Sequence, residues 1–185
     1  MKKLLVALPL AALLLAGCSS AAPTVDSLAG ADSAVNQAEK PAAETAEKPA
    51  DRSAALGETV TYESGVKVTV TSLGFQSVGE YAHGAIEGQA AVFELTVMNG
   101  SDEDLEAALM SLPKVTVGET NAQTESVTDM DSDLGLNMLS TILPGETQTV
   151  KFGAGIAAAD AGAVRVEISG PNMFTDKAAI FKGAL

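Results

Sequence analysis

The chain of 185 residues contains one cysteine, one histidine and no tryptophan, and only 4% of its residues are aromatic. A single cysteine excludes a disulfide framework and every metal or iron–sulfur site that needs clustered thiolates. One histidine leaves catalytic triads and histidine-rich metal centres almost without material. Basic residues are scarce as well, with 11 Lys and Arg against 24 Asp and Glu and a net charge of −13. Phosphate backbones demand the opposite balance, so nucleic acid is excluded as a partner.

The N-terminus carries a recognisable pattern. Lys2 and Lys3 precede an apolar run from Leu4 to Leu15. That run is shorter than the roughly 20 residues a membrane-spanning helix needs, and it suits the apolar part of a secretory signal. It ends in Leu15-Ala16-Gly17-Cys18, and the only Cys of the chain stands at that point. Here the sequence resembles the lipobox of bacterial lipoproteins. The resemblance implies cleavage before Cys18, acylation of its thiol, and a mature chain tethered to the extracytoplasmic face of the cell membrane through acyl chains. Two or three such chains give lasting attachment, because each buried methylene contributes about 0.8 kcal/mol.

From Ser19 to Leu56 there is no aromatic residue, while twelve of the positions are Ala. Such a stretch buries too little apolar surface to offset its ordering entropy. Ala38-Glu39-Lys40-Pro41-Ala42 is repeated as Ala46-Glu47-Lys48-Pro49-Ala50, and each Pro opposes continuous helix. The segment is expected to be a disordered spacer with a reach of about 35 Å as a coil and about 130 Å fully extended. The organisation expected is therefore a signal over 1–17, a lipidated tether over 18–56 and a folded domain over 57–185.

All aromatics of the chain lie after Gly57, where β-branched residues begin to alternate with polar ones. Glu58 to Tyr62 and Val66 to Leu73 read as strands around a turn at Glu63-Ser64-Gly65. In Ala91 to Met98, Ala91, Phe93, Leu95 and Val97 point one way and Val92, Glu94, Thr96 and Met98 the other, which reads as a central, largely buried strand that Asn99-Gly100-Ser101-Asp102 ends. Lys114 to Val117 and Ala122 to Val127 suggest a hairpin. Pro144-Gly145 fits a type II turn into a strand from Thr147 to Ile156, and Ala163 to Ser169 alternates again. The Phe174 to Phe181 stretch reads as a last strand or short helix packed on the sheet. Short strands at regular spacing without a helical period predict an all-β fold, an immunoglobulin-like antiparallel β-sandwich. The order of Gly57-Glu58-Thr59-Val60, the Val66 to Leu73 strand, Phe93 to Glu103 and Leu143-Pro144-Gly145-Glu146-Thr147 resembles the telokin-like, immunoglobulin-like domain of unknown function of secreted bacterial lipoproteins. That resemblance implies a sandwich without catalytic residues.

Asp129-Met130-Asp131-Ser132-Asp133 is the sharpest candidate site. Alternating carboxylates can converge on a hard cation such as calcium, with Asp129, Asp131 and Asp133 as ligands and Asn137 as a further oxygen donor. Leu134 and Ser140 stand where an EF-hand needs Gly and Glu, and a solvated acidic loop is the plainer reading. Tyr81 and His83 sit in a glycine-flanked loop and form a candidate recognition surface, since the end loops of sandwiches often carry binding. Ser111-Leu112-Pro113-Lys114 has S-x-x-K spacing, but Pro113 and the β setting argue against the helical turn that chemistry requires. Leu134 to Leu143 is apolar for a loop and reads as a buried cap on one end of the sandwich.

No residues assemble into a catalytic constellation, so an enzyme is not expected and no cofactor beyond calcium is suggested. The expected function is a membrane-anchored, non-catalytic binding module for an envelope component or protein, the alternative being a calcium-dependent structural or adhesive module. The acidity is concentrated after Gly57, where 18 acids face six bases. Cations or basic partners are the company this charge favours.

Overall fold

A computed structural model of the chain describes residues 24–26 and 52–185. Leu15, Ala16, Gly17 and Cys18 lie outside the described residues, as does most of the expected spacer. The strands run, in chain order, β1 Thr24–Asp26, β2 Ser53–Ala55, β3 Thr59–Thr61, β4 Lys67–Ser77, β5 Gln89–Met98, β6 Leu105–Glu106 and β7 Lys114–Val117. They continue as β8 Ala122–Gln123, β9 Ser126–Val127, β10 Thr141–Ile142, β11 Thr147–Ala154, β12 Val164–Ile168 and β13 Ala179–Gly183. One sheet has the order β1-β3-β4-β5-β11-β9 and the other β2-β13-β12-β7-β8, with β6 and β10 paired apart from both. Among the described residues the strand pairs are antiparallel except β2 with β13. The chain folds as the expected antiparallel β-sandwich. Among the described residues no helix is long and apolar enough to cross a membrane.

Period-two alternation explains the layers. Val68 and Val70 of β4 and Phe93, Leu95 and Val97 of β5 turn inward to meet Val166, Ile168 and Phe181 of the second sheet, all of them buried. Phe93 and Phe152 face each other across β5 and β11 with their rings stacked at a centroid distance of 5.2 Å. Each of these large side chains contributes about 1.5–3 kcal/mol by leaving water. The first part of the outward face of β5 is apolar too, and Ala90 and Val92 form a second cluster there with Val127 and Leu134.

Strand register defines two ends. Met98 pairs with both Lys67 and Thr147 at one of them, and Asn99 closes β5 there. At the other, Ser77 pairs with Gln89 and Ala91 with Ala154. The Pro144-Gly145 turn forms as expected, with Gly145 at φ 81° and the Glu146 N–H donating to the Leu143 carbonyl at 3.0 Å.

Several expectations change. The segment assigned to the spacer holds β1, which pairs with β3, and β2, which pairs with β13. These short strands join open sheet edges through backbone hydrogen bonds, a stabilisation that composition does not register. The folded part accordingly begins before Gly57, and Leu56 packs on the core. Strand β4 runs past Leu73 to Ser77 through a bulge between Ser72 and Gly74. The expected single strand over 122–127 is two strands in different sheets, because β8 pairs with β7 while β9 pairs with β11. The apolar cap over 134–143 is divided, with Leu134, Leu139 and Ile142 buried while Leu136, Met138 and Leu143 are exposed. Phe174 stands exposed, and β13 carries the end of the chain that packs on the sheet.

Candidate functional site

The connection from β4 to β5 carries Tyr81 and His83, and the segment after β9 carries Asp129, Asp131 and Asp133. Far apart in sequence, the two meet at one end of the sandwich. The His83 N–H donates to the Thr128 carbonyl at 2.9 Å and the Thr128 N–H returns to the His83 carbonyl at 3.1 Å. Gly84 follows at φ 79° and lies so close to the Ser126 carbonyl that a Cβ has no room. Only glycine tolerates both conditions.

Asp129 is the brace between the loops. It is buried, and its Oδ2 accepts from the Gly79 N–H at 3.1 Å and from the Ser132 hydroxyl at 2.6 Å, while Oδ1 accepts from the Asp131 N–H at 3.1 Å. The hydrogen bond from Ser132, followed by that from Gly79, holds the Asp129 carboxyl below its ordinary value. Asp129 and Leu134 also exchange backbone hydrogen bonds at 3.0 Å in both directions, closing a tight turn in which Asp133 has φ 53°.

Beneath this turn, Val127 and Leu134 cover Ala90 and Val92 on the outer face of the first sheet, with Val78 and Ala85 packed alongside. Gly153 of β11 makes room for the cover, since a Cβ there would stand 2.5 Å from Leu134 Cδ2 and 3.0 Å from Val127 Cβ. The acidic loop is therefore pinned by apolar residues on both sides of the Asp run. Those residues were the sequence signal that it is a packed element.

The structure brings Asp129 and Asp131 together against Gly79, where a Cβ would lie 3.1 Å from Asp129 Oδ1 and 2.6 Å from Asp131 Oδ2. Asp133 and Asn137 instead line a separate depression of about 460 Å³ with Glu94 and Lys151. Among the described residues no group of three or more His, Cys, Asp or Glu is arranged to hold a metal ion. What this end offers to solvent is Tyr81, 91% exposed, and Met130, 81% exposed, beside the exposed His83. The S-x-x-K pair does not share a helical turn. Ser111 ends a 3-10 turn and its Oγ accepts from the Leu139 N–H at 2.7 Å, whereas Lys114 opens β7.

No family model matches the chain, and no curated protein matches it. Among solved structures it is similar to the yjhA protein from Bacillus subtilis, at 14% identity and a TM-score of 0.55, over 69% of this chain and 97% of that one. It is also similar, at 15% identity and a TM-score of 0.42, to an uncharacterized β-sandwich protein from Clostridium difficile, over 77% of this chain and 99% of that one. The likeness to the Bacillus protein concerns the fold alone, and a sandwich hosts many unrelated functions.

Proposed function

We propose that the chain is a bacterial lipoprotein, acylated at Cys18 and held on the extracytoplasmic face of the cell membrane. Its sandwich is a non-catalytic binding module of the telokin-like, immunoglobulin-like kind, which engages an envelope component or protein through the loops at the Tyr81 end. The lipobox and the alternation pattern support the first part of this reading. The observation that carries the second is the braced pair of loops. Tyr81 stands two residues from Gly79 and Met130 one residue from Asp129, and Gly79 and Asp129 are joined by a hydrogen bond. Two large, exposed, adaptable side chains are thereby presented on a fixed support, the arrangement that lowers the entropic cost of binding.

Two experiments test the reading. Cells labelled with a palmitate analogue should mark the chain, and Cys18→Ser should abolish the mark; an unlabelled wild-type chain overturns the anchor. Crosslinking in intact envelopes should capture one recurrent component, and a Tyr81→Ala, Met130→Ala double variant should lose it while keeping its melting temperature. Capture that is indifferent to both substitutions overturns the assignment of the binding end.

A further inference from the structure

The opposite end of the sandwich holds an open groove of about 750 Å³ between the segment after β5 and the connection from β12 to β13. Asp102, Glu103, Asp104, Glu106 and Asp176 line it, and no Lys, Arg or His does. Among the described residues none of these five carboxylates has a counter-charge within 4.0 Å. Asp176 accepts from the Asn172 N–H at 3.1 Å and Glu106 from the Thr141 hydroxyl at 2.9 Å, which leaves most of the carboxylate oxygens facing solvent.

Apolar surface runs along the same groove. Leu109 is 48% exposed, Met173 61% and Phe174 90%. Phe174 is held out by a closed turn. Its N–H donates to Asn172 Oδ1 at 3.0 Å, and the Asp176 N–H donates to the Asn172 carbonyl at 2.8 Å. The Tyr62 hydroxyl fixes the far side of this loop by donating to the Lys177 carbonyl at 3.1 Å. Burial, with Asp176 adding to it, pushes the Tyr62 phenol well above its ordinary value and keeps it a neutral donor.

We infer that this groove is the docking site for a basic peptide segment of a partner protein, in which Lys or Arg alternates with apolar side chains. Four of the five acids stand on the 102–106 wall, and Met173 and Phe174 stand on the other beside Asp176. An extended segment places successive side chains on opposite sides, so alternation of charge and apolarity serves both walls at once. A purely apolar partner would strip water from carboxylates and leave them unpaired, at a heavy desolvation cost. Anionic lipid and nucleic acid are repelled by the same charges. The groove lies at the end of the sandwich away from Tyr81, so this inference stands apart from the function proposed above.

The test uses the purified whole chain and a fluorescein-labelled peptide of about nine residues alternating lysine with leucine, read by fluorescence anisotropy. Binding is expected, weakening as salt rises above about 150 mM. An Asp102→Asn, Asp104→Asn double variant is expected to bind about tenfold more weakly, as is Phe174→Ala. All three positions are exposed, so melting temperatures should stay at the wild-type value. Tyr81→Ala should bind as the wild type does. The inference is overturned if a lysine–glycine peptide binds equally well, because then only diffuse charge is at work. It is equally overturned if the groove substitutions leave affinity unchanged, or if sedimentation shows that they abolish a dimer of the chain while the peptide never binds.

Discussion

Asn99 is the residue whose replacement reports most directly on how the groove end is held together. It is completely buried at the end of β5. Its Nδ2 donates to the Glu103 and Ile142 carbonyls, both at 2.8 Å, and its Oδ1 accepts from the Ser101 N–H at 3.1 Å and the Ser101 hydroxyl at 2.6 Å. Its backbone N–H donates to the Glu146 carbonyl at 2.9 Å and its carbonyl accepts from the Gly145 N–H at 2.7 Å. The side chain thus ties the turn after β5 to β10, and the backbone of the same residue holds the turn before β11. Asn99→Ala removes four hydrogen bonds worth about 1 kcal/mol net each, and part of that returns because the Ser101 and Glu103 side is near water. The expected loss is about 3 kcal/mol, a drop in melting temperature of about 10 °C for a domain of this size.

Asn99→Asp sharpens the test. Its carboxylate would face the Glu103 and Ile142 carbonyls with no proton to offer them. The folded state therefore favours the neutral acid, and the folded pKa rises above the ordinary Asp value of about 3.9. The resulting destabilisation grows as pH rises above the unfolded-state value and fades in acid, where the acid form is present in both states. In urea melts Asn99→Asp should be less stable than Asn99→Ala at neutral pH and should close on it below about pH 4. A loss under about 1 kcal/mol for Asn99→Ala, or identical pH profiles for the two variants, would refute the reasoning.

The other predictions concern both ends. Asp129 has a lowered folded pKa, so its contribution is present above the unfolded value of about 3.9 and is lost as pH falls through the folded one. The melting-temperature gap between wild type and Asp129→Asn should accordingly shrink below about pH 4, and a constant gap would contradict the three hydrogen bonds. Gly153→Ala drives a methyl group against Leu134 and Val127, and a loss of about 1–3 kcal/mol is expected, with amide shifts concentrated in 127–134; an unchanged spectrum there counts against the packing described. Tyr62→Phe removes the hydroxyl from the Lys177 carbonyl, should cost about 1 kcal/mol and should speed amide exchange over 172–178 before the rest of the sheet. Millimolar calcium should leave the melting temperature where it is, because the Asp129 oxygens already accept from protein donors; a rise would restore Asp129, Asp131 and Asp133 as ligands.

Strands β4 and β5 are legible in the sequence because each buries one face against the main core, which forces a period of two on Val66 to Val70 and Ala91 to Val97. Turns are legible where one residue type is required, as at Pro144-Gly145. Strands β1 and β2 are not, since β2 sits in an alanine-rich stretch and both are held to sheet edges by backbone groups that every residue carries. The break between β8 and β9 is invisible for a related reason. Thr124 and Glu125 look like any polar pair, and the change of sheet is decided by where β11 offers an edge. At the candidate site the residue types were readable, but the link from Gly79 to Asp129 spans 50 residues and no local pattern announces it. At the groove, likewise, the acids over 102–106 and the aromatic Phe174 are plain in the sequence, while their meeting across two sheets is a product of topology.

That topology also orients the two surfaces. Strand β13 begins at the groove end, and β2 runs parallel to it from Ser53, beside Ile180, to Ala55, beside Lys182. Strand β1 runs the same way along β3, from Thr24 beside Thr61 to Asp26 beside Thr59. Both segments therefore enter the sandwich from the groove end, and Tyr81 lies at the far end from either entry. With Cys18 acylated as proposed, the six chain steps from Cys18 to Thr24 reach at most about 20 Å, against about 130 Å for the whole spacer fully extended. If Cys18 is the anchor, pairing of β1 with β3 would convert a long tether into a short one. On the proposed anchoring, this would keep the groove end nearer the bilayer than the end that carries Tyr81 and Met130. On the two proposals together, a partner of the groove would bring its basic segment from the membrane side and a partner of the Tyr81 end would approach from outside, so the two would bind without competing for space.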